Sequence, residues 1–384
     1  MTIIGWPIEV GSRELDARLV FGLHCTERGL SFASGTKSSV TEAAVATKDF
    51  VYIHKSAASK QRPRFAGIVE AGNRIYVHDE EGLVTSRRDF EPRFDPICLD
   101  WTHGYFLYGK AQRETRRSLN TEFSRFSVVG HPTFDLLRGS LSALYMGAAH
   151  EYQELFGRYA LLAPREASFV NQIEFATNLL KTAVIDTAVI KPHPGYRQAA
   201  LPSLAEGFRV VPREERIGPL LLGSKLLLHY ESTTAISASL VNVGAVDFSS
   251  HQEDTWVDQR LFGPRAAELE FFGGSAPLPA GHLVCPTETG DLMHSDTESA
   301  SERIVNQIVA DGAQALGQSR LGPRLRPWRP RKSLSSLSEH GRLKAGSIAP
   351  SEVHQRIEAM AAAFGTSPPR IRFYGDSLFL IHPN

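Results

Sequence analysis

The chain has 384 residues, 42% hydrophobic and 22% charged, which is the length of two ordinary domains and the balance of a soluble globular protein. Lys plus Arg (42) equals Asp plus Glu (42), so net charge gives no reason to expect a nucleic-acid partner. No apolar run approaches the ~20 residues of a membrane span, residues 1–10 lack a signal-peptide pattern, and Cys25, Cys98 and Cys285 are odd in number and widely spaced, so a cytoplasmic protein with buried, reduced thiols is expected.

Leu15, Leu19 and Leu23 recur at helical spacing and predict a helix over 12–29, with Ser12 as its cap and Gly29 as its stop. A turn at 34–39 leads to Ser39-x-x-Glu42, the pattern of a capping box opening a second helix. Short strand-like runs follow at 50–53 and 74–78, then apolar, aromatic pieces around 101–108 and 123–129. A second series of strands is expected near 159–163, 188–191, 208–211, 226–229 and 245–248, with helices over 170–181 and from Ser232. Helices alternating with short apolar strands predict α/β units with parallel sheets.

Beyond residue 248 the pattern weakens into Gly- and Pro-rich loops. Ser299-x-x-Glu302 then opens an amphipathic helix, 319–344 is basic, and a helix over 351–364 precedes a strand-like tail. The expected division is an N-terminal Rossmann-like domain over 1–126, a second over 127–318, and a linker with a C-terminal helix and tail over 319–384. Two readings of the basic stretch stay open. It is either a surface that brings the protein to the anionic inner membrane, with Trp328 as an anchor, or a linker whose arginines pair with acids of the folded domains.

Three polar motifs follow apolar runs in a fixed order: Asp79-Glu80-Glu81-Gly82, Lys191-Pro192-His193-Pro194 and Ser232-Thr233-Thr234. Groups at strand-to-loop junctions are where α/β proteins place their chemistry. Crowded carboxylates repel, so one of Asp79, Glu80 and Glu81 should be raised toward the range of a general base. Prolines fix His193 on both sides, Lys191 adds charge, and Ser232, Thr233 and Thr234 open a helix, a setting suited to phosphate. Lys37 and Ser38 in the first turn are weaker binding candidates, as are Lys55 and Ser56, and Asp135 is read as structural. No His, Cys or Asp group has metal-ligand spacing.

The segments "YVHDEEGLV" (76–84), "VVGHPTFDLLR" (128–138), "VIKPHPGY" (189–196) and "LLLHYESTTAISASL" (226–240) together resemble a family of bacterial surface carbohydrate biosynthesis proteins, over residues 8 to 248. The order of acid–Gly, His-Pro and Ser/Thr is similar to that of CMP-dependent sialyl- and Kdo-transferases. This resemblance implies a GT-B fold, two Rossmann-like domains with parallel sheets facing across a cleft. It also implies transfer of a keto-sugar from CMP to a surface glycan, with nucleotide sugar and glycan acceptor as partners and neither metal nor other cofactor. Glu80 takes the place of the base, with Asp79 and Glu81 as neighbouring candidates, and His193 that of the phosphate ligand. Ser237 stands where related sequences carry a ribose-binding Glu, so ribose recognition by that route is in doubt. Inverting and retaining mechanisms both remain open. So do nucleotide-sugar 2-epimerisation, polyol-phosphate transfer and a catalytically inactive glycan-binding subunit.

Overall fold

The computed structural model describes residues 2–80, 91–109, 112–113, 123–164, 169–193, 204–230, 232–248, 298–313, 349–375 and 377–384. The chain divides into two compact units, one of Met1–Asp135 with Gly290–Asn384 and the other Leu136–Thr289. The helix opened by Ser299 packs on the first helix of the chain and belongs to the first unit.

In the first unit, strands β1 (Ile3–Gly5), β2 (Ser31–Gly35), β3 (Phe50–His54), β4 (Arg74–His78), β5 (Thr102–Leu107) and β6 (Phe126–Val128) form parallel pairs in the order β2-β1-β3-β4-β5-β6. Runs such as Phe50–His54 are buried along their length, as strands of a sheet covered on both faces must be. Helices α1 (Gly11–Glu27), α2 (Lys37–Ala46), α3 (Arg62–Glu70), α4 (Pro96–Asp100) and α5 (Pro132–Asp135) connect or follow them.

α1 begins one residue before Ser12, and its N-cap is Val10, which makes no side-chain cap. Ser12 is therefore not the cap. α2 begins before Ser39, and its N-cap is Thr36, whose hydroxyl accepts the Ser39 N–H. The Ser39–Glu42 capping box does not form, because Thr36 already satisfies that N–H.

The tail forms a hairpin, β12 (Arg370–Phe373) with β13 (Leu378–His382), and β13 pairs antiparallel with β2 to complete an eight-stranded sheet. Gly35 is required at this junction, since its φ is +153° and a Cβ there would lie 2.0 Å from the Ser377 carbonyl oxygen. That carbonyl accepts the Thr36 N–H at 2.8 Å, and the Ser377 hydroxyl accepts from Ser39 Oγ at 2.9 Å. The C-terminal strand therefore holds the start of α2 in place.

The second unit is a five-stranded parallel sheet of β7 (Tyr159–Ala163), β8 (Thr187–Ile190), β9 (Phe208–Val210), β10 (Leu226–His229) and β11 (Gly244–Asp247), ordered β11-β10-β7-β8-β9. Its helices are α6 (Ala143–Phe156), α7 (Phe169–Lys181), α8 (Ile217–Gly223) and α9 (Thr234–Leu240). α7 lays Phe169, Ala176 and Leu179 against Leu162, Ala188, Ile190 and Leu228 of the sheet. Back in the first unit, α10 (Ala300–Ala310) and α11 (Pro350–Ala363) pack on α1. Ser299 caps α10 as the sequence predicts, accepting the Glu302 N–H at 3.0 Å.

Asp135 receives the Ala300 and Ser301 N–H groups at 3.1 and 3.2 Å, a structural role at the start of α10. Cys25 and Cys98 are buried thiols. Glu81, Glu231, Cys285 and the basic stretch 319–344 lie outside the described residues. Among the described residues, no helix is long and apolar enough to cross a membrane.

Candidate functional site

Each sheet reverses its strand order once, and in open α/β sheets ligands bind beyond the carboxyl ends of the strands at that reversal. In the first unit the reversal lies between β1 and β3. A concavity there is lined by Trp6, Pro7 and Glu9 after β1, His54 and Lys55 at the end of β3, Lys37 of α2, Glu14 of α1, and Glu80 after β4.

Arg18 of α1 organises the acids of this concavity. Its side chain is 1% exposed, and its Nη2 lies 2.6 Å from Glu80 Oε1 and 3.8 Å from Glu14 Oε2. Its Nε donates to the Pro7 carbonyl at 3.2 Å, and its guanidinium lies 3.9 Å from the Trp6 ring centre. Burial pushes the Glu80 carboxyl above its ordinary value, Arg18 opposes the rise, and the neighbouring Glu14 adds to it. A carboxyl raised in this way suits proton transfer.

Asp79 is fully buried, with its carboxylate accepting from Arg93 at 2.8 Å and from the Tyr105 hydroxyl at 3.4 Å. These contacts anchor the chain after β4. Lys37 and Lys55 both pair with the Glu9 carboxylate. Burial alone would raise Glu9, but Lys55 and Lys37 outweigh it and hold the group at about 2.

One ligand atom from each of His78, Glu80 and His131 lies within 4.8 Å of the others, the spacing of a candidate metal group. The donor set fits a cation poorly. Thr133 N–H donates to His131 Nδ1 at 3.1 Å, so the neutral ring carries its proton on Nε2. His78 Nε2 donates to the Gly130 carbonyl at 3.0 Å, which leaves only Nδ1 with a lone pair. Arg18 stands beside both rings, and burial keeps His78 down to about 4 and His131 well below its ordinary value, so both are neutral.

In the second unit the reversal lies between β7 and β10. The hydroxyl loop follows β10: Ser232 Oγ accepts the Thr234 N–H at 3.2 Å and lies 3.0 Å from Thr234 Oγ1, while the Ser232 N–H approaches His229 Nδ1 at 3.4 Å. Lys191 and His193 follow β8, on the same carboxyl edge, with β7 between them and the hydroxyl loop. One intervening strand sets the two groups roughly 10 Å apart.

His193 is exposed. Lys191 is 7% exposed and donates to the Arg213 carbonyl at 2.7 Å. Burial lowers its ammonium to about 8 against the pull of Glu214 and Glu215. The loop after β9 thus supplies one acceptor for its ammonium. Ser237 is buried on α9.

Glu9, Glu14 and Arg18 were not singled out by the sequence reading. The only signal was the spacing of Glu14 and Arg18, which ordinarily marks a solvent-facing helix pair.

No family model and no curated protein matches the chain. Its fold is that of solved GT-B proteins. The wall teichoic acid polymerase TagF, in a structure soaked with CDPG, is 12% identical with a TM-score of 0.56, covering 81% of this chain and 88% of that one. MnaA of S. aureus in a structure with UDP is 12% identical with a TM-score of 0.55, covering 84% of this chain and 100% of that one. The UDP-GlcNAc 2-epimerase of Neisseria meningitidis bound to UDP-GlcNAc is 11% identical with a TM-score of 0.55, covering 81% and 100%.

Proposed function

We propose that this chain is a GT-B enzyme acting on nucleotide-activated sugars in the assembly of a bacterial surface carbohydrate, and that it is a glycosyltransferase using a CMP-linked keto-sugar. The observation that carries the enzymatic part is the buried Glu80–Arg18–Glu14 group at the strand reversal of the first unit, where a raised carboxyl is held 2.6 Å from a guanidinium. The CMP-linked donor rests on the order of the three motifs. The structural relatives with bound CDPG, UDP and UDP-GlcNAc support a nucleotide-sugar substrate of some kind.

In this reading Glu80 takes the proton of the acceptor hydroxyl, and Glu14 and Arg18 set its basicity. His193 and the hydroxyls of Ser232 and Thr234 hold the donor phosphate. The leaving phosphate is stabilised by these protein groups, so a chelator leaves turnover unchanged.

Incubation with CMP-, UDP- and CDP-linked donors, with the released nucleotide identified, tests the proposal. CMP release that falls by about two to four orders of magnitude in Glu80→Gln, with donor affinity retained, is the expected result. Unaltered turnover in Glu80→Gln together with an inactive Glu81→Gln moves the base to Glu81.

The paired acids favour one second reading, nucleotide-sugar 2-epimerisation, in which one carboxyl removes a proton and its neighbour returns one. An interconverted sugar with no nucleotide released identifies that chemistry. Flotation with anionic vesicles at low and high salt separates the two readings of the basic stretch 319–344.

A further inference from the structure

Glu80 lines the concavity of the first unit and also belongs to a cluster with Arg18, His78 and His131. Among the described residues, two polar atoms of this cluster are buried without a hydrogen-bond partner: Arg18 Nη1 and His78 Nδ1. Arg18 and His78 are 1% and 0% exposed. Both flank the Trp6 ring, with the guanidinium 3.9 Å and the imidazole centre 5.4 Å from its centre. A buried donor or acceptor left unpaired is costly, and native proteins rarely keep one. One of each kind beside the same aromatic ring points to a third group bonded to both.

The four side chains define what that group is. Arg18 Nη1 only donates. His78 Nε2 donates to the Gly130 carbonyl, so Nδ1 only accepts. The Thr133 N–H occupies His131 Nδ1 and leaves Nε2 as a donor, while the Glu80 carboxylate is an acceptor held at 2.6 Å by Arg18. The Arg18 and His131 N–H groups repel a cation, and the Glu80 carboxylate repels an anion. A neutral hydroxyl oxygen both donates and accepts. Water, with two protons and two lone pairs, meets two donors and two acceptors. An alcohol has one proton and gives it to Glu80, whose charge makes it a stronger acceptor than His78.

The spacing agrees. One ligand atom from each of His78, Glu80 and His131 lies within 4.8 Å of the others. At that limit an oxygen central to all three stands about 2.8 Å from each, a hydrogen-bond distance, whereas zinc needs about 2.0–2.2 Å. Burial keeps both imidazoles neutral, and the Trp6 and Tyr108 rings beside His78 make a dry setting in which each bond is strengthened.

We propose that Arg18, His78, Glu80 and His131 form a binding site for one neutral hydroxyl oxygen, supplied by water or by the alcohol of an acceptor. The acceptor as a source rests on the function proposed above, whereas the hydroxyl site does not.

Crystal structures of the full chain in buffer and with glycerol as the alcohol probe test it. In buffer, one water oxygen is expected about 2.6–3.2 Å from both Arg18 Nη1 and His78 Nδ1. With glycerol, a probe hydroxyl at that position identifies alcohol as an occupant, and a retained water identifies water. The double variant His78→Phe/His131→Phe keeps both rings and should lose the oxygen. Where alcohol is the occupant, His131→Phe also raises the KM of the acceptor roughly three- to tenfold, with nucleotide affinity unchanged.

Arg18 Nη1 and His78 Nδ1 with no shared oxygen overturn the proposal, as does an oxygen that persists in the double variant. So does a zinc ion about 2.0–2.2 Å from Glu80 and either histidine after a zinc soak. If the double variant does not fold, the wild-type structures decide alone. Separate titration with CMP, CDP and UDP reads the proposed function by itself, so failure of one is not failure of the other.

Discussion

Replacing Arg18 by Met removes the cation that lies 2.6 Å from Glu80 and 3.8 Å from Glu14. Truncating one partner of a buried ion pair costs about 3–5 kcal/mol, because the other charge is left buried. The lost stacking on Trp6 adds about 1 kcal/mol, while Met keeps most of the apolar stem.

Protonation of Glu80 offsets part of this cost. Burial already raises the Glu80 carboxyl above 4.5 with Arg18 opposing, so it rises further without Arg18. An acid raised on folding binds more protons folded than unfolded, so stability falls as pH climbs from 4.5 toward the raised value. The Arg18→Met deficit should therefore be largest near neutrality, at about 3–5 kcal/mol, and shrink toward about pH 5.

Urea unfolding read by hydrogen exchange at β1 and β4 reports this unit by itself. Adding Glu80→Gln to Arg18→Met should recover about 2 kcal/mol, since the stranded charge is gone. A deficit below about 1 kcal/mol at every pH, or one that grows toward acid, refutes the reasoning.

Three further outcomes follow from single contacts. Lys191, lowered on folding from 10.5 to about 8, is more readily deprotonated in the native state, so the wild type should gain roughly 3 kcal/mol as pH rises between these values. Lys191→Met should lose that slope, as pH-dependent denaturation will show. Asp135→Ala leaves the Ala300 and Ser301 N–H groups without their acceptor and should lower stability by about 1–2 kcal/mol in chemical denaturation. Ser377→Ala removes the hydroxyl bonded to Ser39 and should cost about 1 kcal/mol, with faster exchange of the amides that open α2 as the accompanying sign.

The strands that were legible in sequence are those with uninterrupted apolar runs. β7 (Tyr159–Ala163) and β10 (Leu226–His229) fall where the hydrophobic pattern predicts them. β1 and β2 do not, because Ile3–Gly5 is too short to show a period and Ser31–Gly35 contains small and polar residues read as the start of a turn. Both are strands through long-range pairing, Ile4 opposite Phe32 and Val51, which no local window contains.

Within the site, Glu80 was legible because an apolar strand ends just before it. Arg18 and Glu14 were not, since a Glu–Arg pair one turn apart ordinarily faces water. Here α1 is covered by β2, β13, α10 and α11, and the pair is buried at 1% and 3% side-chain exposure. Lys191 was legible as a cation at the end of a strand, but its bond to the Arg213 carbonyl joins segments that no local window contains.

The central claim, that the chain works on nucleotide-activated sugars, is tested most directly by calorimetric titration of the purified protein with CMP, CDP, UDP, ADP and GDP. The account predicts saturable binding of a pyrimidine nucleotide, CMP foremost, that weakens by about tenfold or more in His193→Ala. No pyrimidine nucleotide binding, or pyrimidine binding that His193→Ala leaves untouched, contradicts it.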